Sequence, residues 1–412
     1  MQSARDIPLT EAIRLVAEAA PKPVPERLPL AECYGRTLLE DVHSLVDHPN
    51  CDNSALDGFA CREEDTAEAS RQAPVLLRLV GDAPAGRAHQ GVVGPGEAVS
   101  VYTGAPIPRG ANAIVMVEAT ERHGDEVVVH RPASASDIRR QGEDFCRGQV
   151  YLEAGRRMGA AEVALAAAMG HAELVVARPP RVGILSTGDE VIEPGAPLSE
   201  GQVYNSNAYS LAGLVLDAGA VPVTLPRVAD DPSALRQALE QAGRLDVLVT
   251  SGGVSMGRYD FVRDLLFEEG QVVFWKVAIR PGGPVLFGGW DDLPVLALPG
   301  NPVSSMVVFL LIARAWLGKA LGSAEALPFD SRLPALSRSE FKGAGYKAAF
   351  RRGVLELGGG QAGFVVRSTG EQGSGILTSM AAANCLVVVP PHASVRVGDR
   401  VETIVLKCLG RT

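Results

Sequence analysis

Aromatic residues and positive charge are both scarce in this 412-residue sequence. Phe, Trp and Tyr make up only 5% of it, which leaves few rings on which nucleic-acid bases could stack. The net charge of −9, from 48 acidic against 39 basic residues, is unfavourable for binding phosphate backbones or anionic lipid. We therefore expect neither nucleic acid nor a membrane as a partner.

Cysteine and histidine motifs are absent as well. None of the six cysteines forms a C-x-x-C pair and the seven histidines show no H-E-x-x-H spacing, so neither disulfides nor a zinc site is indicated. Charged residues interrupt the apolar pattern of residues 1–20, which excludes a signal-peptide core. The longest apolar run, residues 306–312, is too short to span a bilayer and leads into Arg314. These features predict a soluble, cytoplasmic protein with reduced thiols.

Glycine and proline, by contrast, are abundant. The 45 glycines and 28 prolines show no G-X-Y period, which indicates many turns between short elements. The length corresponds to about three domains. Val-rich runs that alternate with Gly/Pro turns predict a small β domain over residues 72–145. After Gly322 the chain is β-like again, which predicts a C-terminal β-barrel or sandwich.

The central third of the chain has a different pattern. Continuous apolar runs at residues 181–185, 246–250, 272–277 and 295–298 are typical of strands buried on both faces. Segments with helical apolar spacing lie between these runs. This alternation predicts a mixed α/β chain whose central domain is a doubly wound, mostly parallel sheet.

Two motif matches have simpler structural interpretations. Residues 358–363 fit the G-x-G-x-x-G dinucleotide fingerprint, but a strand-like segment rather than a helix follows, so a hairpin turn is favoured. Residues 253–257 fit the G-x-S-x-G nucleophile elbow around Ser255. Only His392 follows as a partner for a catalytic triad, and it lies in another predicted domain. A serine hydrolase therefore stays a weak alternative.

Three of the predicted strands run into polar or glycine-rich loops, at residues 186–190, 251–255 and 299–302. Ligands of open parallel sheets bind beyond the carboxyl ends of the strands. Backbone N–H groups of glycine loops, and the helix that begins after Asn301, suit phosphate groups. The sequence therefore predicts a phosphate-binding mouth at these strand ends.

Acidic residues accompany these loops. Asp189, Glu190, Asp230 and Asp260 could surround the same mouth, and carboxylates that face phosphate oxygens imply Mg²⁺, a hard cation. For Asp260, capping a helix is an equally good interpretation. A second turn-rich acidic group, at residues 52–60, 103–106 and 142–144, lies outside the predicted sheet, and each piece taken alone reads as an Asx-turn or a loop.

Seven segments, in order along nearly the whole chain, resemble the molybdopterin molybdenumtransferases of the MoeA type, which include the gephyrin E domain. They are residues 53–58 (NSALDG), 103–106 (TGAP), 142–144 (GED), 186–190 (STGDE), 251–255 (SGGVS), 274–276 (FWK) and 298–302 (LPGNP).

This resemblance implies an elongated homodimer with an active site between subunits. The enzyme would bind adenylylated molybdopterin and molybdate, insert the metal at the dithiolene and release AMP with the help of Mg²⁺. It would also contact the molybdopterin adenylyltransferase and recipient molybdoenzymes transiently. Molybdate and tungstate have nearly equal size and charge, so the sequence does not distinguish them. The expected domains are a discontinuous linking and dimerisation domain (residues 1–48 and 146–177), a small β-rich domain (49–145), an α/β molybdopterin-binding domain (178–325) and a C-terminal β-barrel (326–412).

The resemblance also assigns roles to individual residues. The expected catalytic residues are Asp57, Thr103, Asp144, Glu190, Asp230 and Asp260, and the expected metal ligands are Asp189, Glu190, Asp230 and Asp260. The expected substrate-binding residues are Ser186, Thr187, Gly188, Ser251, Gly252, Gly253, Ser255, Lys276, Arg280, Pro299, Gly300, Asn301, Pro302, Arg352 and Ser374. One departure concerns the family's Lys-Pro-Gly-Lys-Pro segment, which reads RPGGP at residues 280–284. Arg280 keeps the first charge, whereas Gly283 loses the second, which puts the affinity for molybdate in question.

Two other functions compete with this hypothesis. The adenylyltransferase that makes the adenylylated pterin has a single domain resembling residues 178–325, but it carries Gly-Gly-Thr-Gly where this chain has GGVS at 252–255 and lacks the added β domains. A non-catalytic scaffold could use the same fold to bind a partner peptide. No extra domain or long linker for scaffolding accompanies the motifs.

Overall fold

The apolar runs of the central third form one six-stranded sheet. The computed structural model describes residues 6–226, 228, 232–254, 261–325, 332–358 and 363–406. In spatial order the strands are Val221–Thr224, Arg181–Ser186, Val247–Ser251, Leu293–Leu298, Leu286–Trp290 and Gln271–Trp275. The first four are parallel, and Leu286–Trp290 is antiparallel to both of its neighbours. The prediction of a mostly parallel sheet is confirmed.

Helices cover both faces of this sheet, because its strands are apolar on both sides. Val182 and Ile184 belong to the core on one face, whereas Leu185 and Leu248 belong to the core on the other. The doubly wound arrangement expected from the sequence is therefore present. The helices on the first face are Leu9–Glu18, Ser206–Asp217 and Pro302–Ala320, and those on the second are Pro232–Ala242 and Phe261–Glu268.

The helix Pro302–Ala320 contains the apolar run of residues 306–312. It consists of Pro302–Val308, a π-helical turn Phe309–Ala313 and Arg314–Ala320. Among the described residues it is the one helix whose length and hydropathy would suffice to cross a membrane, yet 78% of that window is buried in the protein. Its apolar surface packs against the sheet and against the helix Leu9–Glu18.

The predicted small β domain is a six-stranded sheet. It has its own core around Phe59, Leu77 and Val127. Its strands, in spatial order, are Ala113–Met116, Gly58–Cys61, Glu97–Val101, Val75–Ala83, Glu126–Val129 and Thr120–His123, with the short helix Glu63–Thr66 between Gly58–Cys61 and Val75–Ala83 along the chain.

Segments from two distant parts of the chain join this β domain to the central sheet. They share a core that includes Leu38, Leu152 and Met158. The domain boundaries expected from the sequence stay a prediction. The paired strands are Pro25–Pro29 with Glu173–Ala177, Val42–His43 with Val150–Leu152, and Asn53–Ser54 with Ile138–Arg139, and the accompanying helix is Ala160–Ala168.

The C-terminal residues form a closed barrel, as predicted. Leu357 pairs with Phe364 in an antiparallel hairpin, so the G-x-G-x-x-G match belongs to a hairpin as expected, and residues 359–362 lie outside the described residues. The short strand Ile279–Arg280 pairs with Ala348 and Ala349 and so connects the central domain to the barrel. The five barrel strands are Arg332–Ser337, Ala348–Leu357, Phe364–Ser368, Cys385–Val389 and Arg400–Val405, and the helix Leu377–Ala382 packs beside them.

Candidate functional site

A cleft of about 1250 Å³ opens at the carboxyl ends of the three adjacent strands Arg181–Ser186, Val247–Ser251 and Leu293–Leu298. The loops after all three strands line it, as the position of ligand sites in parallel sheets predicts. Further segments complete the wall: residues 203–207 and 279–284 of the central domain, and residues 344–351 and 372–375 of the barrel. The cleft therefore lies where the central domain meets the barrel.

The glycines of the first two loops let the backbones approach each other closely. Gly188 and Gly252 have φ angles of 122° and 104°, which side chains rarely allow. A Cβ on Gly252 would lie 2.7 Å from the hydroxyl oxygen of Thr187. The Gly252 amide donates to the Leu298 carbonyl at 3.0 Å, which ties the second loop to the third strand. These loops present backbone rather than side chains to the cleft.

Asparagines at the start of the helix Ser206–Asp217 fix the loops relative to one another. The Asn207 amide group donates to the hydroxyl of Ser251 at 2.6 Å and to the Gly300 carbonyl at 2.7 Å. Its Oδ1 is buried and has no hydrogen-bond partner among the described residues. Asn207 was not among the residues predicted from the sequence. The sequence signal that could have located it is the helix start: Asn205 caps this helix, because its side chain accepts a hydrogen bond from the Ala208 amide, and Asn207 lies in the first turn that follows.

The barrel loop reaches the cleft through the start of the buried helix Pro302–Ala320. The Val303 amide donates to the Ser374 carbonyl at 3.1 Å. The Val303 amide at this helix start therefore already has a hydrogen-bond acceptor within the protein, and the contact holds Ser374 at the cleft wall. The predicted residues Pro299, Gly300, Asn301 and Pro302 line the cleft beside it.

Arg352 is not where the resemblance suggested. It is fully buried, and its guanidinium donates to the backbone carbonyls of Glu371, Gln372 and Gly373 at 2.9–3.2 Å and to the hydroxyl of Ser379 at 3.1 Å. Burial, followed by the nearby charge of Arg351, lowers the pKa of Arg352 to about 10, so it stays charged at neutral pH. The expectation of an anion contact by Arg352 is corrected: it holds the loop that lines the cleft.

The neighbouring arginine faces the cleft instead, because successive residues of a strand point to opposite sides. Arg351 donates to the carbonyls of Lys342 and Gly343, and burial together with the charge of Arg280 lowers its pKa. Arg280 itself is exposed in the cleft, as predicted. Among the described residues that line the cleft, the cations are Arg280, Lys347 and Arg351.

Lys276 does not line the cleft in the described residues. The preceding strand, Gln271–Trp275, lies at the sheet edge, and Leu286–Trp290 separates it from the three strands that carry the loops. The ammonium of Lys276 lies 4.3 Å from the centroid of the Trp275 ring. The expectation that Lys276 contacts the anion is therefore not supported by its position.

Two of the predicted acids lie at the mouth. Asp189 and Glu190 are exposed and line the cleft. Asp230, Asp260 and also Ser255 lie outside the described residues, so the predicted metal site and the predicted nucleophile elbow stay predictions. In the part of the chain that the structure describes, no group of three or more His, Cys, Asp or Glu side chains could hold a metal ion.

Three predicted catalytic residues lie in or beside the small β domain instead. The Thr103 amide and hydroxyl donate to Asp57 Oδ1 at 2.8 and 2.9 Å, and these hydrogen bonds lower the pKa of Asp57. Asp144 is exposed on a neighbouring turn, near which Arg140 forms an ion pair with Asp52 at 2.6 Å. The turn-rich acidic group therefore comes together, but not one of Asp57, Thr103 and Asp144 lines the cleft of the same chain.

The other residues predicted for the site line the cleft, and their roles in binding stay a prediction. They are Ser186, Thr187, Gly188, Ser251, Gly252, Gly253, Arg280, Pro299, Gly300, Asn301, Pro302 and Ser374.

Comparison with known proteins gives one consistent answer over nearly the whole chain. Residues 7–170 match the MoeA N-terminal region (domains I and II), residues 183–319 a probable molybdopterin-binding domain, and residues 334–406 the MoeA C-terminal region (domain IV). Molybdopterin molybdenumtransferase 2 of Mycobacterium tuberculosis is 40% identical over 385 residues, covering 92% of this chain and 94% of the relative. The molybdopterin molybdenumtransferase of Haemophilus influenzae is 34% identical with the same coverage. The crystal structure of a molybdopterin biosynthesis MoeA protein from Pyrococcus horikoshii has a TM-score of 0.81 at 30% identity, covering 97% of this chain and 100% of that one.

Proposed function

The chain belongs to the MoeA family of molybdopterin molybdenumtransferases, transferases of molybdenum cofactor biosynthesis, and on this premise we propose that its cleft inserts molybdate into adenylylated molybdopterin with release of AMP. The observation that carries the proposal is the contrast between two walls of one cleft. Backbone-rich glycine loops form one wall, and the cations Arg280 and Arg351 belong to the other. A nucleotide-bearing pterin and a small oxyanion can therefore bind side by side.

The glycine loops suit the pyrophosphate of the adenylylated pterin. The backbone at Gly188, Gly252 and Gly253 carries no net charge and no side chain, so phosphate oxygens can approach these loops closely. This wall would orient the substrate, and its close-packed backbone would keep the orientation fixed.

The cationic wall suits molybdate. Arg280 lies exposed in the cleft, and Arg351 lies close enough to it that the like charge helps to lower the pKa of Arg351. The Ser374 loop closes the same side. Guanidinium groups form charge-assisted hydrogen bonds with oxyanions. These residues would hold the oxyanion next to the dithiolene while the phosphoanhydride bond is cleaved.

Mg²⁺ is proposed to bind at the acidic mouth of the cleft. Asp189 and Glu190 are exposed carboxylates on the first glycine loop, and a hard cation prefers such oxygen ligands. Bound there, Mg²⁺ would polarise the phosphoanhydride and neutralise charge on the leaving phosphate. Asp230 and Asp260 are proposed as further ligands.

A homodimer would complete the site. Asp57, Thr103 and Asp144 are proposed as catalytic residues although they do not line the cleft of their own chain. The resemblance implies an active site between subunits, so these residues would face the cleft of the partner subunit. We place the enzyme in the cytoplasm, where it would receive its substrate from the adenylyltransferase and pass the cofactor to recipient enzymes.

The test is AMP release by the purified full-length protein from adenylylated molybdopterin in the presence of Mg²⁺, with and without molybdate. We expect AMP release that depends on molybdate. Arg280→Ala should raise the molybdate concentration for half-maximal release by about tenfold or more, because one charge-assisted contact is worth about 1.5–3 kcal/mol. The matched variant Lys276→Ala should change it less. AMP release that is equally fast without molybdate, or absent altogether, would refute the proposed function.

A further inference from the structure

The backbone at Gly283 leaves room for a side chain from the barrel. A Cβ on Gly283 would lie 3.3 Å from the ammonium nitrogen of Lys347 and 3.1 Å from the Ile279 carbonyl oxygen. Most real Cβ atoms are not approached this closely, so any side chain at position 283 would require Lys347 to move. The glycine at position 283 therefore allows the Lys347 ammonium to lie where it does.

Lys347 is fixed at this place by the N-terminal segment. Its ammonium forms an ion pair with Asp6 at 2.6 Å, and the side chain of Asp6 is only 10% exposed. The Tyr346 hydroxyl donates to the same carboxylate at 2.7 Å. Backbone hydrogen bonds of Ile7 with Lys276 and Ala278 hold this segment against the loop that precedes Arg280. An ammonium has three N–H donors and the ion pair with Asp6 uses one, so Lys347 can bind a second anion without leaving Asp6.

Lys347 also lies on the wall that holds the other cations of the cleft. The strand Ile279–Arg280 pairs with Ala348 and Ala349, so Arg280 and Lys347 are on adjoining segments. Arg351 belongs to the barrel strand that begins directly after Lys347, and it lines the same cleft. The described cations of the cleft thus converge from two domains on one side.

We propose that Lys347 is an oxyanion-binding residue of the cleft and supplies, from the barrel, the second cation that the loop itself lacks at Gly283. Asp6 positions it. The proposal rests on the proposed function, because it identifies the oxyanion with molybdate, the substrate of that same site.

The test is calorimetric titration of sodium molybdate into the full-length protein and its variants. Lys347→Ala should bind molybdate about tenfold more weakly than the wild type, as expected for the loss of one charge-assisted contact. Lys342→Ala is the matched control, since Lys342 is an exposed lysine of the same segment and does not line the cleft, and it should bind as the wild type does. Equal affinity of Lys347→Ala and wild type would overturn the inference and leave the proposed function intact. No binding by the wild type would overturn both.

Two further variants separate a role in binding from a role in folding. Asp6→Asn removes the competing negative charge but keeps an oxygen that can accept from the Lys347 ammonium, so Lys347 stays in position and molybdate affinity should be retained or increased; a loss as large as that of Lys347→Ala would mean that the pair only supports the fold and would overturn the inference. Gly283→Lys should not tighten binding in the wild-type background, because the new side chain crowds the Lys347 ammonium with a like charge. In the Lys347→Ala background the same substitution should restore at least part of the lost affinity. Additive effects of the two substitutions would contradict the proposal.

Discussion

Arg352→Ala tests whether a buried arginine shapes the cleft from behind. The side chain is fully buried and satisfies three consecutive backbone carbonyls, those of Glu371, Gln372 and Gly373. A buried acceptor that loses its donor costs about 1–3 kcal/mol. The loop can relax toward the cleft and recover some hydrogen bonds from water, so we expect a loss of about 3–5 kcal/mol in the free energy of unfolding, the upper range for one substitution.

Hydrogen exchange of the amides in residues 371–375, followed by mass spectrometry, measures the loop directly. We expect exchange there to accelerate in Arg352→Ala, and the molybdate concentration for half-maximal AMP release to rise, because Ser374 would lose its place in the cleft wall. Lys at position 352 keeps the charge but not the planar set of donors, so Arg352→Lys should rescue only partly. Arg367→Ala is the control: this arginine is exposed and forms an ion pair with the exposed Glu356, which is worth about 0–1 kcal/mol. Unchanged exchange and unchanged half-saturation in Arg352→Ala would refute the reasoning.

Single contacts elsewhere in the chain give three further predictions. Asp57→Ala should lose most AMP release in a steady-state assay while its melting temperature stays within a few degrees, since the side chain is exposed; a large drop in melting temperature would instead support a purely structural turn. Gly252→Ala should lower both the melting temperature and the activity, because the new Cβ would lie 2.7 Å from the Thr187 hydroxyl oxygen. The control is Gly213→Ala, in a helix with open space around the Cβ, which should raise the free energy of unfolding by about 0.5–1 kcal/mol. Burial alone would raise the pKa of Asp246, but hydrogen bonds from Arg178 and from the Arg181 amide outweigh it and hold that pKa below its ordinary value. A carboxyl group whose pKa is lowered by folding stabilises the folded state above its unfolded pKa of 3.8, and this stabilisation is lost as the pH falls below that value. The free energy of unfolding, measured by urea denaturation, should therefore fall less between pH 5 and pH 3 in Asp246→Asn than in the wild type. Equal losses in the two proteins would contradict this assignment.

The sequence predicted those parts of the fold in which one strong signal dominates. The strands Arg181–Ser186, Val247–Ser251 and Leu293–Leu298 are continuous apolar runs, and each leads into a polar or glycine-rich loop. The strand Leu286–Trp290 was missed because two glycines interrupt its apolar pattern, and Val221–Thr224 because it is short and contains a proline. Pairing with neighbours decides such strands, and a local pattern does not contain that information.

In the cleft, too, some features could be predicted from the sequence and others could not. The glycine loops were predicted because consecutive glycines after a buried strand are typical of a backbone that must approach a ligand or another loop closely. The anion contact was expected of Arg352, whereas Arg351 faces the cleft, because two adjacent arginines in a strand look alike until the strand's orientation is known. Asn207 and Lys347 belong to the cleft through contacts made by segments far away in the chain, with Ser251 and Asp6 respectively.

The central claim is that one cleft holds the pterin nucleotide and the oxyanion side by side. Its most direct test is anomalous diffraction from crystals that contain adenylylated molybdopterin and tungstate, a heavy substitute for molybdate. We predict a tungsten peak in this cleft whose bound oxygens lie within hydrogen-bonding distance of Arg280, Lys347 or Arg351, with the pyrophosphate density against the glycine loops. A tungsten peak outside this cleft, or pyrophosphate density on the cationic wall, would contradict the account.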